Sequence, residues 1–322
     1  MSKYIAKRIL LLIPVVLGVS FLIFSIMYFV PGDPARIILS AGGGSVTEAD
    51  LALKREQLGL DKPYIVQLGQ FFYDTFIRHD FGTSYLTGTS VAAEIAIRFP
   101  RTLKLAFICI IIQVIIGIPL GLIAATHQNQ LADRICTVIS MIGVSLPEFW
   151  VALMLVIVFA LNLGWLPAYG FESTKYYILP CAALSLRGIA TLARLTRSNM
   201  LDVLHSDYIT TAKAKGIPPL RILLVHALPN GIIPVIQTLG SSFGASLGGA
   251  IVIENIFSIA GMGTYLMSAV DNLDYPIVRS SVIVLALAFS VVMLVVDLIF
   301  AFVDPRIKAQ YENSGKKVKR RG

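Results

Sequence analysis

The order of apolar and polar positions predicts an all-α membrane protein with six transmembrane helices. Ile9 to Val30 is 22 residues without a charge, enough to cross about 30 Å of hydrocarbon at 1.5 Å per residue. A cleaved leader would also begin basic and then apolar. This run is long for one and has no small-x-small site before Pro31, so it is read as an uncleaved helix. Residues 31–99 are mixed and polar, with eight acidic side chains, Gly42 to Gly44 in a row and an amphipathic pattern over Thr47–Leu58. They contain no run of spanning length. Further spans are expected over Leu105–Thr126, Ile135 to about Leu161 (interrupted at Pro147-Glu148), Ile178–Ala193 with Arg187 inside it, Gly231–Ile253, and Ile277–Val303.

Composition agrees: 56% of the 322 residues are hydrophobic and 14% are charged, against about 25% charged in soluble domains. The net charge of +8 does not mark a nucleic-acid protein, because no basic patch is interleaved with aromatics. Its distribution instead sets an orientation. Sixteen of the 27 lysines and arginines fall in the N-terminus, at Arg134, between Arg194 and Arg221, and in the tail. The two short loops on the other side hold only Lys175 and Arg279, so both termini are expected in the cytoplasm. The even number of spans this requires supplies the fourth, which Arg187 would otherwise obscure. The tail Lys316-Lys317-Val318-Lys319-Arg320-Arg321 reads as a solvated or anionic-lipid-facing end.

Between the fourth and fifth spans lies a polar island, Asp207 to Pro229. Its Ala-, Thr- and Lys-rich first half favours a short helix, and Gly216-Ile217-Pro218-Pro219 must break it. A second short helix is expected from Leu220, and Pro229 is expected to open the next span. A helix, a sharp turn and a helix at the membrane surface suit insertion into a partner.

Asp207, Tyr208, Thr211, Ala212, Lys213 and Gly216, followed by His226, Leu228 and Pro229, resemble the cytoplasmic coupling loop of ABC-importer permeases of the dipeptide/oligopeptide/nickel family. Thr211 stands where the general motif has Glu, so no salt bridge from that position is expected. Other strings are similar to the family in the same order: Pro31-Gly32-Asp33-Pro34, Leu58 to Pro63, Asp80-Phe81-Gly82-Thr83-Ser84, Ser145 to Trp150, Glu254 to Gly263 (with Ala260 in place of a proline), Asp274-Tyr275-Pro276 and Asp304-Pro305-Arg306-Ile307.

The resemblance implies a type I ABC-importer permease fold: an anchor helix (1–30), an extracytoplasmic insertion (31–99), a transmembrane domain (100–304) with its coupling loop at 205–229, and a basic tail (305–322). It also implies half of an ATP-driven pore for short peptides or small metal chelates such as nickel. The implied partners are a second homologous permease, two cytoplasmic ATPases and a solute-binding protein.

Catalytic chemistry is not indicated. Gly240-Ser241-Ser242-Phe243-Gly244 has the spacing of a nucleophile elbow but lies inside an apolar span, and with Gly248 it makes G-x-x-x-G packing steps. Gly117 and Gly121 are spaced for the same kind of packing. The four histidines have no metal-site spacing, the three cysteines sit in apolar segments, and no phosphate-binding loop occurs, so neither cofactor nor metal is expected and ATP hydrolysis must come from another chain. Glu148 and Arg187 are the unusual charges. On opposite-running helices both fall near mid-bilayer, where they would form an interhelical pair or line the translocation pathway. A secondary transporter or channel not driven by ATP is the alternative class; it predicts inverted repeats, and none is found.

Overall fold

The computed structural model describes residues 2–41 and 46–303. The glycine run at 42–44, the Asp304-Pro305-Arg306-Ile307 string and the basic tail lie outside the described residues. Among the described residues nearly all regular structure is helical: α1 (Ser2–Phe29), α2 (Pro34–Ala41), α3 (Glu48–Leu58), α4 (Tyr64–Phe72), α5 (Val91–Thr126), α6 (Leu131–Ser145), α7 (Glu148–Leu155), α8 (Ile178–Leu204), α9 (Asp207–Ala214), α10 (Pro219–Arg221), α11 (Leu228–Gly231), α12 (Ile233–Ile256), α13 (Met262–Asp271) and α14 (Tyr275–Val303). Five helical stretches are long and apolar enough to cross a membrane, and six if α6 and α7, bent by 101° at their junction, count as one. Pro147 explains the break, since it offers no amide hydrogen and biases Leu146 toward the extended conformation it adopts.

One compact unit comprises Leu10–Thr102 and Ile259–Ala288. Its core joins Met27, Val91, Ile95, Met262, Tyr265, Ala269 and Val278. The short strings singled out in the sequence are its caps and turns. Asp33 accepts the Ala35 amide at 3.0 Å and pairs with Arg55 of α3 at 2.6 Å, so α2 is tied to α3. Burial works against the charged Asp33 carboxylate but is outweighed by the Arg55 hydrogen bond and the amide contact, which hold its carboxyl below the usual range. Thr47 and Asp50 form a capping box at the start of α3, and Gly59 closes the other end in the left-handed conformation. Buried Asp274, of the Asp-Tyr-Pro string, accepts from the Ser84 hydroxyl at 2.6 Å and the Tyr85 amide at 3.0 Å, fixing the loop that begins Asp80-Phe81-Gly82.

The other unit comprises Leu103–Ser258 with the chain up to Ile9 and from Phe289 onward. Here α6, α7 and α12 pack on α8. Gly121 lets α5 approach α8 so closely that a Cβ there would collide with the Ala193 carbonyl and Thr196. Gly240 and Gly244 face Met293 and Phe289 of α14, the packing role rather than a nucleophile elbow. Arg8 and Asp297 pair at 2.8 Å.

Candidate functional site

Two features of the second unit concern function. The first is the polar island. Helix α9 covers Asp207–Ala214, Gly216 takes φ +75° with open space around it, and Pro218 caps the next turn. The second helix is not regular. It begins as α10, widens into a π-helical turn over Ile222–Ala227, then tightens as α11, so Pro229 lies in a short turn and the next span starts only at Ile233. The two faces of α9 differ: Ile209 and Ala212 are buried with Met200, Ile222 and Ala227, whereas Asp207, Tyr208, Thr211 and Lys213 are exposed. Asn230 reaches back to the Tyr208 hydroxyl at 3.2 Å and the His226 carbonyl at 3.0 Å, tying the two halves together. His226 and Leu228 are half-buried, and Pro229 is exposed.

The second feature is a cavity of about 180 Å³ among α5, α7, α8 and α12, lined by Gln113, Glu148, Arg187, Thr238, Ser241 and Ser242, among others. Glu148 and Arg187 therefore meet at one cavity, although none of the ion pairs among the described residues joins them. Glu148 is the first residue of α7, where the unpaired amides of the opening turn favour a carboxylate. Buried Gln113 donates to Ser246 at 3.4 Å and leaves its side-chain oxygen unpartnered. A Cβ at Gly249 would press on the Glu148 carboxylate, so a small residue there leaves it room.

Sequence reasoning missed two parts of this arrangement. Thr238, Ser241, Ser242 and Ser246 recur at helical spacing, and that polar stripe on an otherwise apolar span was a readable signal. Among the described residues α8 is joined to a neighbouring helix by an ion pair not through Arg187 and Glu148 but through Arg197 and Asp133. Nη2 of Arg197 donates to Oδ2 at 2.8 Å while Nε donates to Oδ1, joining α6 to α8. Residues 64 apart carry no local signal of such a pairing.

Helices long and apolar enough to cross a membrane, a polar cavity among α5, α7, α8 and α12 and an exposed helix-turn-helix suit a transport permease. Residues 117–309 match the family described as "Binding-protein-dependent transport system inner membrane component", and residues 1–106 match the corresponding N-terminal family. The chain belongs to this family: it is a multi-pass inner-membrane permease subunit of an ATP-driven ABC importer, whose members work with ATPase and binding-protein partners, and it is not an enzyme by itself.

Among curated relatives, it is 40% identical over 308 residues to a glutathione transport system permease protein, GsiC, of Salmonella choleraesuis, covering 96% of this chain and 99% of that protein. It is equally 40% identical to a dipeptide transport system permease protein, DppB, of Alkalihalophilus pseudofirmus, covering 96% of this chain and all of that protein. The inward-facing MetNI methionine ABC transporter matches with a TM-score of 0.57 at 15% identity, over 65% of this chain and 96% of that one. The fold is that of a type I importer permease.

Proposed function

We propose that this chain forms half of a pore for short peptides, completed by a second homologous permease and driven by two ATPase subunits. A solute-binding protein delivers the cargo outside. The peptide cargo is favoured by the glutathione and dipeptide names of relatives at 40% identity. Residues 31–99 form the extracytoplasmic insertion, both termini are cytoplasmic, and α9 with the turn at Gly216 enters the ATPase. The cavity at Glu148 and Arg187 lies on the cargo's route.

The observation that carries this reading is that cavity: it brings a carboxylate, a guanidinium, a carboxamide with a free oxygen and a stripe of hydroxyls together inside an apolar bundle. Each charge would cost about 2.5–3.5 kcal/mol at the bilayer centre without water or a ligand beside it. A peptide offers both charges and hydrogen-bonding amides. The test is uptake of a radiolabelled dipeptide by cells whose importer contains this chain as its sole copy of the subunit. Glu148→Gln and Arg187→Gln should each reduce uptake at least tenfold while the ATPase still copurifies. Unchanged uptake in both would remove these residues from the route.

A further inference from the structure

In the unit formed by residues 10–102 and 259–288, Arg279 lies near the start of α14. Its guanidinium carbon stands 4.4 Å from the Phe24 ring centre, 5.3 Å from Tyr275 and 5.5 Å from Phe71. Its Nε is buried and makes no hydrogen bond, and Arg279 takes part in no ion pair among the described residues. Ring faces attract a cation but do not neutralise it, and a guanidinium has donors that match a carboxylate or phosphate in pairs. Arg279 lines a cavity of about 280 Å³ that Glu56, Asp74 and Asp80 also line.

These carboxylates are only partly engaged. Asp74 accepts from exposed Arg78 at 3.5 Å, and Asp80 uses one oxygen for the Gly82 amide at 2.8 Å. Lys62 also lines the cavity, its ammonium donating to Gln70 at 3.3 Å, so the cavity offers an uncompensated guanidinium on one element and anionic oxygens on others. Its volume falls just below the roughly 300–1,000 Å³ of pockets that take drug-sized molecules. A compact ligand with an anionic group at one end and an ammonium at the other matches both the charges and the size.

We propose that this cavity is a binding site for a small zwitterion, its anionic group on Arg279 and its ammonium among Glu56, Asp74 and Asp80. The choice of a free short peptide as the occupant rests on the peptide reading above. The phosphoethanolamine headgroup of a lipid has the same chemistry and is the other source to be separated.

The experiment uses the full chain in phosphatidylcholine nanodiscs, without binding protein or ATPase, and equilibrium dialysis of radiolabelled Ala-Ala. Saturable binding is expected. N-acetyl-Ala-Ala and Ala-Ala amide, each lacking one charge, should compete at least tenfold less well than Ala-Ala. Arg279→Gln and the double variant Asp74→Asn/Asp80→Asn should each weaken binding at least tenfold. Arg279→Lys, which keeps the charge, should retain more binding than the glutamine variant, and the competition series on the unaltered chain does not depend on any variant folding.

Absence of dipeptide binding together with phosphatidylethanolamine that copurifies from native membranes, and is lost in Arg279→Gln, would assign the site to the lipid headgroup. If neither ligand is held through Arg279, or if Glu148→Gln rather than Arg279→Gln abolishes dipeptide binding, the proposal is overturned. Because the dialysis involves no transport, a chain that binds Ala-Ala here but never imports it sinks the cargo reading and leaves this site standing. The reverse result sinks this site alone.

Discussion

The Asp133 carboxylate is 4% exposed and Arg197 is 29% exposed, so most of the stabilisation of their pair depends on both partners being present. Removing one leaves a buried charge without its counter-charge, which costs about 3–5 kcal/mol in fully buried pairs and falls toward the lower end where one partner still meets solvent. Arg197→Gln should therefore lower the thermal midpoint of the purified chain by several degrees. The double variant Asp133→Asn/Arg197→Gln should recover part of that loss, since the single amide oxygen of an asparagine can still accept from the Asn129 backbone amide while its NH2 group donates to the Thr137 hydroxyl. A double variant no more stable than Arg197→Gln would show that the pair is not coupled. Glu148 and Arg187 differ in kind: they share a cavity without an ion pair, so their neutralisation is expected to affect uptake before stability.

Among the elements, α9 and the turn after it have a separable geometry. Gly216 has open space around it but a φ of +75°, so a side chain there is penalised by backbone strain alone. That strain costs on the order of 1–2 kcal/mol, and most for a β-branched residue, whereas Asn enters this region readily. Gly216→Val should abolish coupling of ATP hydrolysis to transport and Gly216→Asn should retain much of it, read as substrate-stimulated ATPase activity of the assembled complex. Equal behaviour of the two would remove the turn from the coupling role. Ala212 is the wrong position for testing a docking face, because it is buried against Met200 and Ile222; exposed Thr211 and Lys213 are the better ones. The break between these helices was legible in Gly216-Ile217-Pro218-Pro219, since the glycine admits a left-handed turn and the prolines fix φ and remove amide donors. The π-helical turn over Ile222–Ala227 was not, because it is set by how the second half packs on Met200 and Ala125 rather than by its own propensities. Pro147 likewise announced an interruption, but a bend of 101° depends on what the two arms pack against.

For the whole molecule, the first, second and fifth spans were readable because a charge-free run of 22 or 23 residues has few other uses, the third and sixth because their few charges interrupt long apolar runs, and the fourth only from the requirement of an even count. The orientation that count implies can be read directly. A cysteine replacing exposed Thr87 should react with a membrane-impermeant maleimide applied to intact cells, and one replacing exposed Thr210 should react only after permeabilisation. Labelling of Thr210→Cys in intact cells would invert the chain and place α9 out of reach of any cytoplasmic ATPase. The sequence did not disclose the two cavities, since each gathers residues from segments far apart in the chain, as Gln113 with Ser242 and Asp74 with Arg279. The bend at Pro147 also bears on the surrounding lipid. Each of its arms, Leu131–Ser145 and Glu148–Asn162, is 15 residues and so at most about 22 Å long, against about 30 Å of hydrocarbon. Neither arm alone matches the membrane's thickness, so only the two together can complete a crossing, and uptake by the importer reconstituted in bilayers of different acyl-chain length is expected to vary with that length.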